Sequence, residues 1–223
     1  MKDAIKEPVI YRTILFTVLC IGCVPSFGDV DYFFQLNVAK ITLFQYSLLA
    51  LLGSFTLFFG TLLYNKFFQD FEVRTVYFFA MCISLVGTTT TLLQYRRINL
   101  QWGIPDLHFV IATNVVTNTL TTAFFLLPTL SIYSRLTPKK IEATVYALLT
   151  STFNLSSEVI SGMLGSVITK WYGITDKNLD QAYKLVYIQL GFLIMTFPLL
   201  YLVPLRKEVD EKIAVLNKKE DKR

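Results

Sequence analysis

Apolar residues form six long, nearly uninterrupted runs along the chain, and short polar segments separate them. A helix that crosses a lipid bilayer needs about 20 consecutive apolar residues. The runs are solid instead of alternating with polar residues, which excludes the strands of a membrane β-barrel. The pattern therefore predicts six membrane-spanning helices, over residues 9–28, 41–64, 75–95, 107–133, 143–168 and 185–205.

The placement of charge agrees with this prediction. Charged residues make up 17% of the chain, below the roughly 25% of soluble domains, and only Arg12 and Glu158 lie within the six runs. Six crossings put the N-terminal segment 1–8 and the charged tail 206–223 on one side, which carries more Lys and Arg than the other side. The positive-inside rule then predicts an integral, multi-pass membrane protein with both termini in the cytosol.

Composition excludes several classes of function. The net charge of +5 comes mostly from the chain ends and forms no basic patch, so nucleic acid is not an expected partner. Cys20 and Cys23 lie in an apolar run without a nearby histidine, which favours inert apolar packing over redox or metal chemistry. We therefore expect no metal site and no cofactor. A single deep carboxylate without a nucleophile–base pair also predicts that the protein is not an enzyme.

Glu158 is the strongest functional candidate, because it lies near the centre of the fifth run. A carboxylate at that depth costs about 3 kcal/mol and usually faces a cavity or a polar partner. Two interpretations remain open: a solute or proton-coupling site, or a neutral, hydrogen-bonded acid that packs two helices. Steps of three and four residues place it on one helical face with other small and polar residues. That stripe comprises Thr144, Ala147, Ser151, Asn154, Glu158, Ser161 and Gly165.

Two further groups of polar residues are candidates for a pathway. The fourth run carries two adjacent polar rows, which favour a water-accessible path, with interhelical hydrogen bonding as the alternative. Asp29 and Asp31 follow the first run and either line the mouth of a cavity or are ordinary interfacial acids. The rows are Thr113, Thr117 and Thr121, and beside them Asn114, Asn118 and Thr122.

Several short motifs resemble the second half of the folate–biopterin transporter family, a branch of the major facilitator superfamily. They occur in the order found in that family and extend over roughly residues 8–204. The motifs are PS at 25–26, YFF at 32–34, LLYN at 62–65, GIPD at 103–106, IEATVYAL at 141–148, SGMLG at 161–165 and WYGIT at 171–175.

The resemblance implies an all-α, polytopic membrane protein that transports folate or pterin-like solutes. Members of the family have two six-helix halves, so this chain would be one half, a 3+3 inverted repeat, that works with an N-terminal half or a second chain. A pterin presents an amidine-like N–H edge, and Glu158 could accept from it, with Asn154, Ser151, Asn114 and Asn118 adding hydrogen bonds. The alternative is a non-transporting accessory protein or a truncated gene product.

Overall fold

The structure, a computed structural model, describes residues 8–136, 142–205 and 207–208, with side chains for all of these except 9–10, 114, 118, 132–136 and 142–145. Regular structure in the described residues is helical apart from one isolated bridge between Thr175 and Asn178. The α-helices are α1 Pro8–Thr17, α2 Gly28–Phe33, α3 Leu43–Leu63, α4 Val73–Tyr95, α5 Ile98–Gln101, α6 Asp106–Val110, α7 Val116–Leu136, α8 Glu142–Asn154, α9 Ser161–Trp171 and α10 Tyr183–Thr196.

Short π-helical segments and one 3₁₀-helix extend or join several of these α-helices. A π-helical turn carries about one extra residue per turn, so it rotates the side chains that follow relative to those that precede it. The π-helical turns are Val18–Gly22 after α1, Phe34–Val38 after α2, Tyr64–Phe68 after α3, Ile111–Val115 between α6 and α7, and Leu155–Ile160 between α8 and α9. A 3₁₀-helix, Phe197–Leu202, continues α10.

The apolar helices confirm the prediction of an all-α membrane protein. Among the described residues, three helices are long and apolar enough to cross a bilayer, namely Leu43–Phe68, Val73–Tyr95 and Tyr183–Leu202. Tyr11–Gly22 and Thr119–Ser131 are shorter apolar helices. The six predicted crossings stay a prediction. The first run is broken, whereas the fourth and fifth runs are continuous helices that each contain a π-helical turn.

The first apolar run, expected as one helix over 9–28, is broken in the structure. Its π-helical turn ends at Gly22, and α2 begins only at Gly28. Pro25 lies in the interruption, and it has no N–H group to donate to a helix and disfavours helical geometry at the residue before it. The chain then continues through α2 as far as Val38, well beyond the predicted end of the run.

Two apolar clusters hold the helices around this break. One joins α2, α4 and α10 through Phe34, Tyr95 and Leu185, and the rings of Phe34 and Tyr95 stack with centroids 4.1 Å apart. The other cluster includes Phe16, Cys20 and Met81, so Cys20 contributes to apolar packing. Together they bring the break in the first helix against α4 and α10.

Candidate functional site

The interrupted segment of the first helix is bonded to the start of α9. The backbone N–H of Ser26 donates to the carbonyl oxygen of Ser161 over 3.0 Å. The Ser161 hydroxyl donates in turn to the carbonyl oxygen of Val24. These bonds satisfy backbone groups that have no helical partner, because unpaired polar groups are costly in an apolar surrounding.

Glycines allow the two segments to approach this closely. A Cβ atom on Gly165 would overlap the carbonyl oxygen of Ser26. A Cβ on Gly22 would lie 3.4 Å from Ser156 and from Ile160. The small-residue spacing in the fifth run therefore packs helices, as small residues commonly do in membranes.

On another side of the break lies a small polar cavity of about 180 Å³. It is bounded by the first helix, α4 and α10, and Leu185 and Val186 supply its apolar wall. A larger groove of about 320 Å³ beside α3 is lined almost entirely by aliphatic residues, which suits lipid chains better than a polar solute. The polar or aromatic residues at the smaller cavity are Ser26, Phe27, Asp31, Thr88, Thr91, Tyr95 and Gln189.

Asp31 is the acidic group of this cavity, and hydrogen bonds to one of its two carboxylate oxygens fix its orientation. Its Oδ1 atom accepts hydrogen bonds from Gln35 Nε2 at 3.2 Å and from the Tyr95 hydroxyl at 3.1 Å. Within the described part of the chain, no residue donates to its other oxygen, Oδ2. A carboxylate has about four acceptor positions, so Asp31 keeps acceptor capacity for a ligand.

A pair of buried amides holds the Asp31 carboxylate in place. Gln35 and Gln94 are 1% and 0% exposed and exchange two hydrogen bonds, of 3.1 and 2.9 Å. Reciprocal bonding of this kind fixes both amides, because rotation of either side chain would break two buried hydrogen bonds. Gln35 thereby holds its remaining N–H toward Asp31, four residues earlier on the same helix.

The predicted stripe around Glu158 does not remain on one face. Ser151, Asn154 and Glu158 are exposed, whereas Ser161 and Gly165 are buried against the break. The π-helical turn Leu155–Ile160 contains Glu158 and precedes Ser161, so it rotates Ser161 and Gly165 relative to the residues before it. Among the residues that the structure describes, the one hydrogen-bond contact of the Glu158 side chain is a long one of 3.4 Å from the neighbouring Ser157 hydroxyl.

The other predicted residues lie in varied surroundings. Asp29 is exposed, whereas Asp31 on the same short helix lines the cavity. Thr113 donates to the carbonyl oxygen of Phe109, and Thr117 donates to that of Thr113. Such bonds to the preceding turn satisfy a hydroxyl without a partner helix. The side chains of Asn114 and Asn118 lie outside the described part of the structure.

Sequence reasoning missed Gln189, which lines the cavity, and the pair Gln35 and Gln94, which holds Asp31 in place. Gln35, Gln94 and Gln189 are isolated amides within apolar segments, and that pattern is the signal that could have singled them out. Thr88 and Thr91 donate to the preceding turn of their own helix and also line the cavity.

Comparisons with known proteins identify the family. A sequence profile of the BT1 family matches residues 1–222. Probable folate-biopterin transporter 4 of Arabidopsis thaliana is 27% identical over 90% of this chain and 40% of its own length. Folate-biopterin transporter of Synechocystis sp. is 33% identical over 65% of this chain and 29% of its own length. Folate transporter 1 of Plasmodium falciparum is 28% identical over 81% of this chain and 35% of its own length.

The chain thus spans less than half the length of these relatives. No solved structure matches it significantly. All three relatives are named as transporters, in agreement with the prediction that the chain is not an enzyme. The chain belongs to the BT1 family, so the resemblance to folate–biopterin transporters is confirmed.

Proposed function

We propose that this protein moves a folate or a pterin-like solute across a membrane. The observation that carries the proposal is the polar cavity with Asp31 beside a broken helix, in an otherwise apolar helical protein of the BT1 family. Transporters typically place binding sites beside interrupted helices, where irregular backbone and polar side chains line a cavity. The first helix, with its interruption at Pro25, has this character.

We further propose that the exposed surface of Ser151, Asn154 and Glu158 lines the solute pathway. A carboxylate and an amide exposed on an apolar membrane helix are costly against lipid, so they favour contact with water, a solute or another part of the protein. Thr113, Thr117, Asn114, Asn118 and Asp29 are proposed as further pathway residues.

The proposed partner is a second bundle of six helices that covers this exposed surface. The relatives are more than twice as long as the stretch that this chain matches, so they contain sequence for such a bundle. In the proposed arrangement the chain is the C-terminal half of a major-facilitator-type carrier, and both of its termini are cytosolic. The partner bundle is either an N-terminal half or a second chain.

Uptake of labelled solute tests the proposal directly. The protein, expressed from its complete coding sequence and reconstituted in lipid vesicles, should accumulate labelled folate or biopterin above the level of protein-free vesicles. Excess unlabelled solute should abolish the accumulation, which separates transport from leakage. Vesicles with correctly inserted protein that show no such uptake would favour the alternative, a non-transporting membrane protein.

A further inference from the structure

Resting on the proposed function, we propose that Asp31 recognises the N–H donor edge of a pteridine ring and thereby determines specificity. The ring would sit in the cavity between the first helix, α4 and α10, with its 2-amino group directed at the free Oδ2 atom of Asp31. Whatever is attached to the ring would extend out of the cavity.

The hydrogen-bonding capacity of Asp31 supports a donor ligand. Both bonds that Asp31 accepts from the protein end on Oδ1, from Gln35 and Tyr95. In its ionised form Asp31 has no proton to donate, so it would repel an oxygen of a ligand opposite Oδ2. Oδ2 keeps two acceptor positions, which suit an amino group and the ring N–H beside it, and charge-assisted bonds of this kind are stronger than bonds between neutral groups.

The buried amide pair makes this recognition selective. Because Gln94 holds Gln35, and Gln35 and Tyr95 hold Oδ1, the carboxylate cannot turn freely to suit another ligand. A binding site whose polar groups are fixed discriminates strongly against a ligand that leaves them unpaired. Gln35 and Gln94 therefore act as positioning residues for Asp31.

The size of the cavity points to the ring and not to a whole conjugated folate. Its volume of about 180 Å³ is well below the 300–1,000 Å³ typical of sites that enclose a drug-sized ligand. Folate and biopterin share the 2-amino-4-oxopteridine ring and differ in what it carries. A cavity that encloses only this ring suits both solutes.

The test compares two pteridines that differ at position 2 of the ring, which Asp31 would contact. Pterin has a 2-amino group, whereas lumazine has an oxygen there and is otherwise nearly identical. In vesicles with the complete protein, pterin should compete with labelled biopterin at least about tenfold better than lumazine, a difference of about 1.4 kcal/mol. Equal competition by the two compounds would overturn the inference while leaving transport itself intact.

The variant Asp31→Asn tests the residue. It keeps the size of the side chain but presents an amide, so the preference for pterin over lumazine should fall at least about tenfold. Asp180→Asn, in an exposed turn that does not line the cavity, is the matched control and should keep the full preference. An unchanged preference in Asp31→Asn would overturn the inference.

Three other outcomes distinguish failure of the inference from failure of the proposed function. Absence of uptake and of competition by any pteridine in the wild-type protein would defeat the proposed function and this inference together. If Asp31→Asn does not insert correctly, the wild-type comparison of pterin with lumazine still decides. Uptake that depends on Na⁺ in the wild type but not in Asp31→Asn, with ring preference unchanged, would show a cation site and overturn the inference.

Discussion

The backbone N–H of Ser26 and the carbonyl oxygen of Ser161 lie 3.0 Å apart, although 135 residues separate them along the chain. This bond joins the interruption of the first helix to the start of α9, just beyond the π-helical turn that carries Glu158. The cavity with Asp31 lies at the same interruption. A movement of this segment would therefore affect both candidate parts of the pathway.

The close approach at this point predicts that Gly165→Ala is destabilising. The added Cβ overlaps the backbone oxygen of Ser26, which cannot rotate away as a flexible side chain could. We expect the free energy of unfolding to fall by about 1–3 kcal/mol. Thermal unfolding in detergent measures the effect.

The matched control for this substitution is Gly162→Ala on the same helix. A Cβ there meets no atom within 4 Å, so the stability should be unchanged or slightly higher. Equal unfolding temperatures for Gly165→Ala and the wild type would contradict the close packing of α9 against Ser26.

The amide pair Gln35–Gln94 should show strong energetic coupling. Replacing Gln94 with Leu removes the donor to the buried Oε1 atom of Gln35, and replacing Gln35 with Leu removes both of the bonds that it exchanges with Gln94, each at a cost of about 1–3 kcal/mol. The double variant removes both partners and should be less destabilised than the sum of the single variants. A double-mutant cycle by thermal unfolding should give a coupling energy of about 0.5–3 kcal/mol, whereas additive effects would contradict direct bonding.

Arg74 and Arg12 should differ in their contribution to stability. Arg74 donates to the carbonyl oxygens of Val203 and Tyr201, at 2.7 and 3.1 Å, and so satisfies the end of the last helix. Arg12 pairs with Glu208 over 3.0 Å and donates to the Tyr201 carbonyl oxygen over a longer 3.3 Å, but the side chains of Arg12 and Glu208 are substantially exposed, by 30% and 38%.

Methionine keeps the aliphatic part of each arginine and removes its charge and donors. Arg74→Met should lower stability by about 1.5–3 kcal/mol, since it loses charge-assisted bonds to the backbone. Arg12→Met should cost less than about 1 kcal/mol, as is usual for an exposed ion pair. The reverse order of unfolding temperatures would show that these contacts are ranked wrongly.

Glu158→Gln tests the proposed pathway on the exposed face of the fifth apolar run. If the carboxylate contacts the solute or a proton during transport, its loss should reduce uptake or the pH dependence of uptake by about tenfold or more. The measurement is initial uptake of labelled biopterin by vesicles across a range of pH. Asp180→Asn serves as a control for loss of an exposed acidic group, and uptake by Glu158→Gln equal to that of this control would remove Glu158 from the mechanism.

Much of the candidate site follows from rules that act over a few residues, but its assembly does not. The sequence suggested Asp31 as a cavity residue and Pro25 as part of a family motif, and both lie at the interruption. It did not indicate that Asp31 would contact Tyr95, because that contact depends on how α2 packs against α4. The partnership of Gln35 with Gln94 was missed for the same reason.

The stripe around Glu158 shows the limit of a regular helical period. Counting in steps of three and four places Ser151, Glu158 and Gly165 on one face, yet Gly165 is buried and the other two are exposed. The count assumes about 100° of rotation per residue, and one π-helical turn is enough to offset it. That turn has no clear signature in the local sequence.

By itself, the sequence determined that this is a helical membrane protein, because length and apolar character are properties of each segment alone. Its ordered motifs and its match to the BT1 profile determined the family. Only the tertiary structure decided which polar groups meet. Asp31 reaches Tyr95, and Ser26 reaches Ser161, through contacts between segments far apart in the chain. Polar backbone and side-chain groups inside an apolar bundle must find hydrogen-bond partners. The packing of the helices decides which partners they find, and the local sequence does not specify that packing.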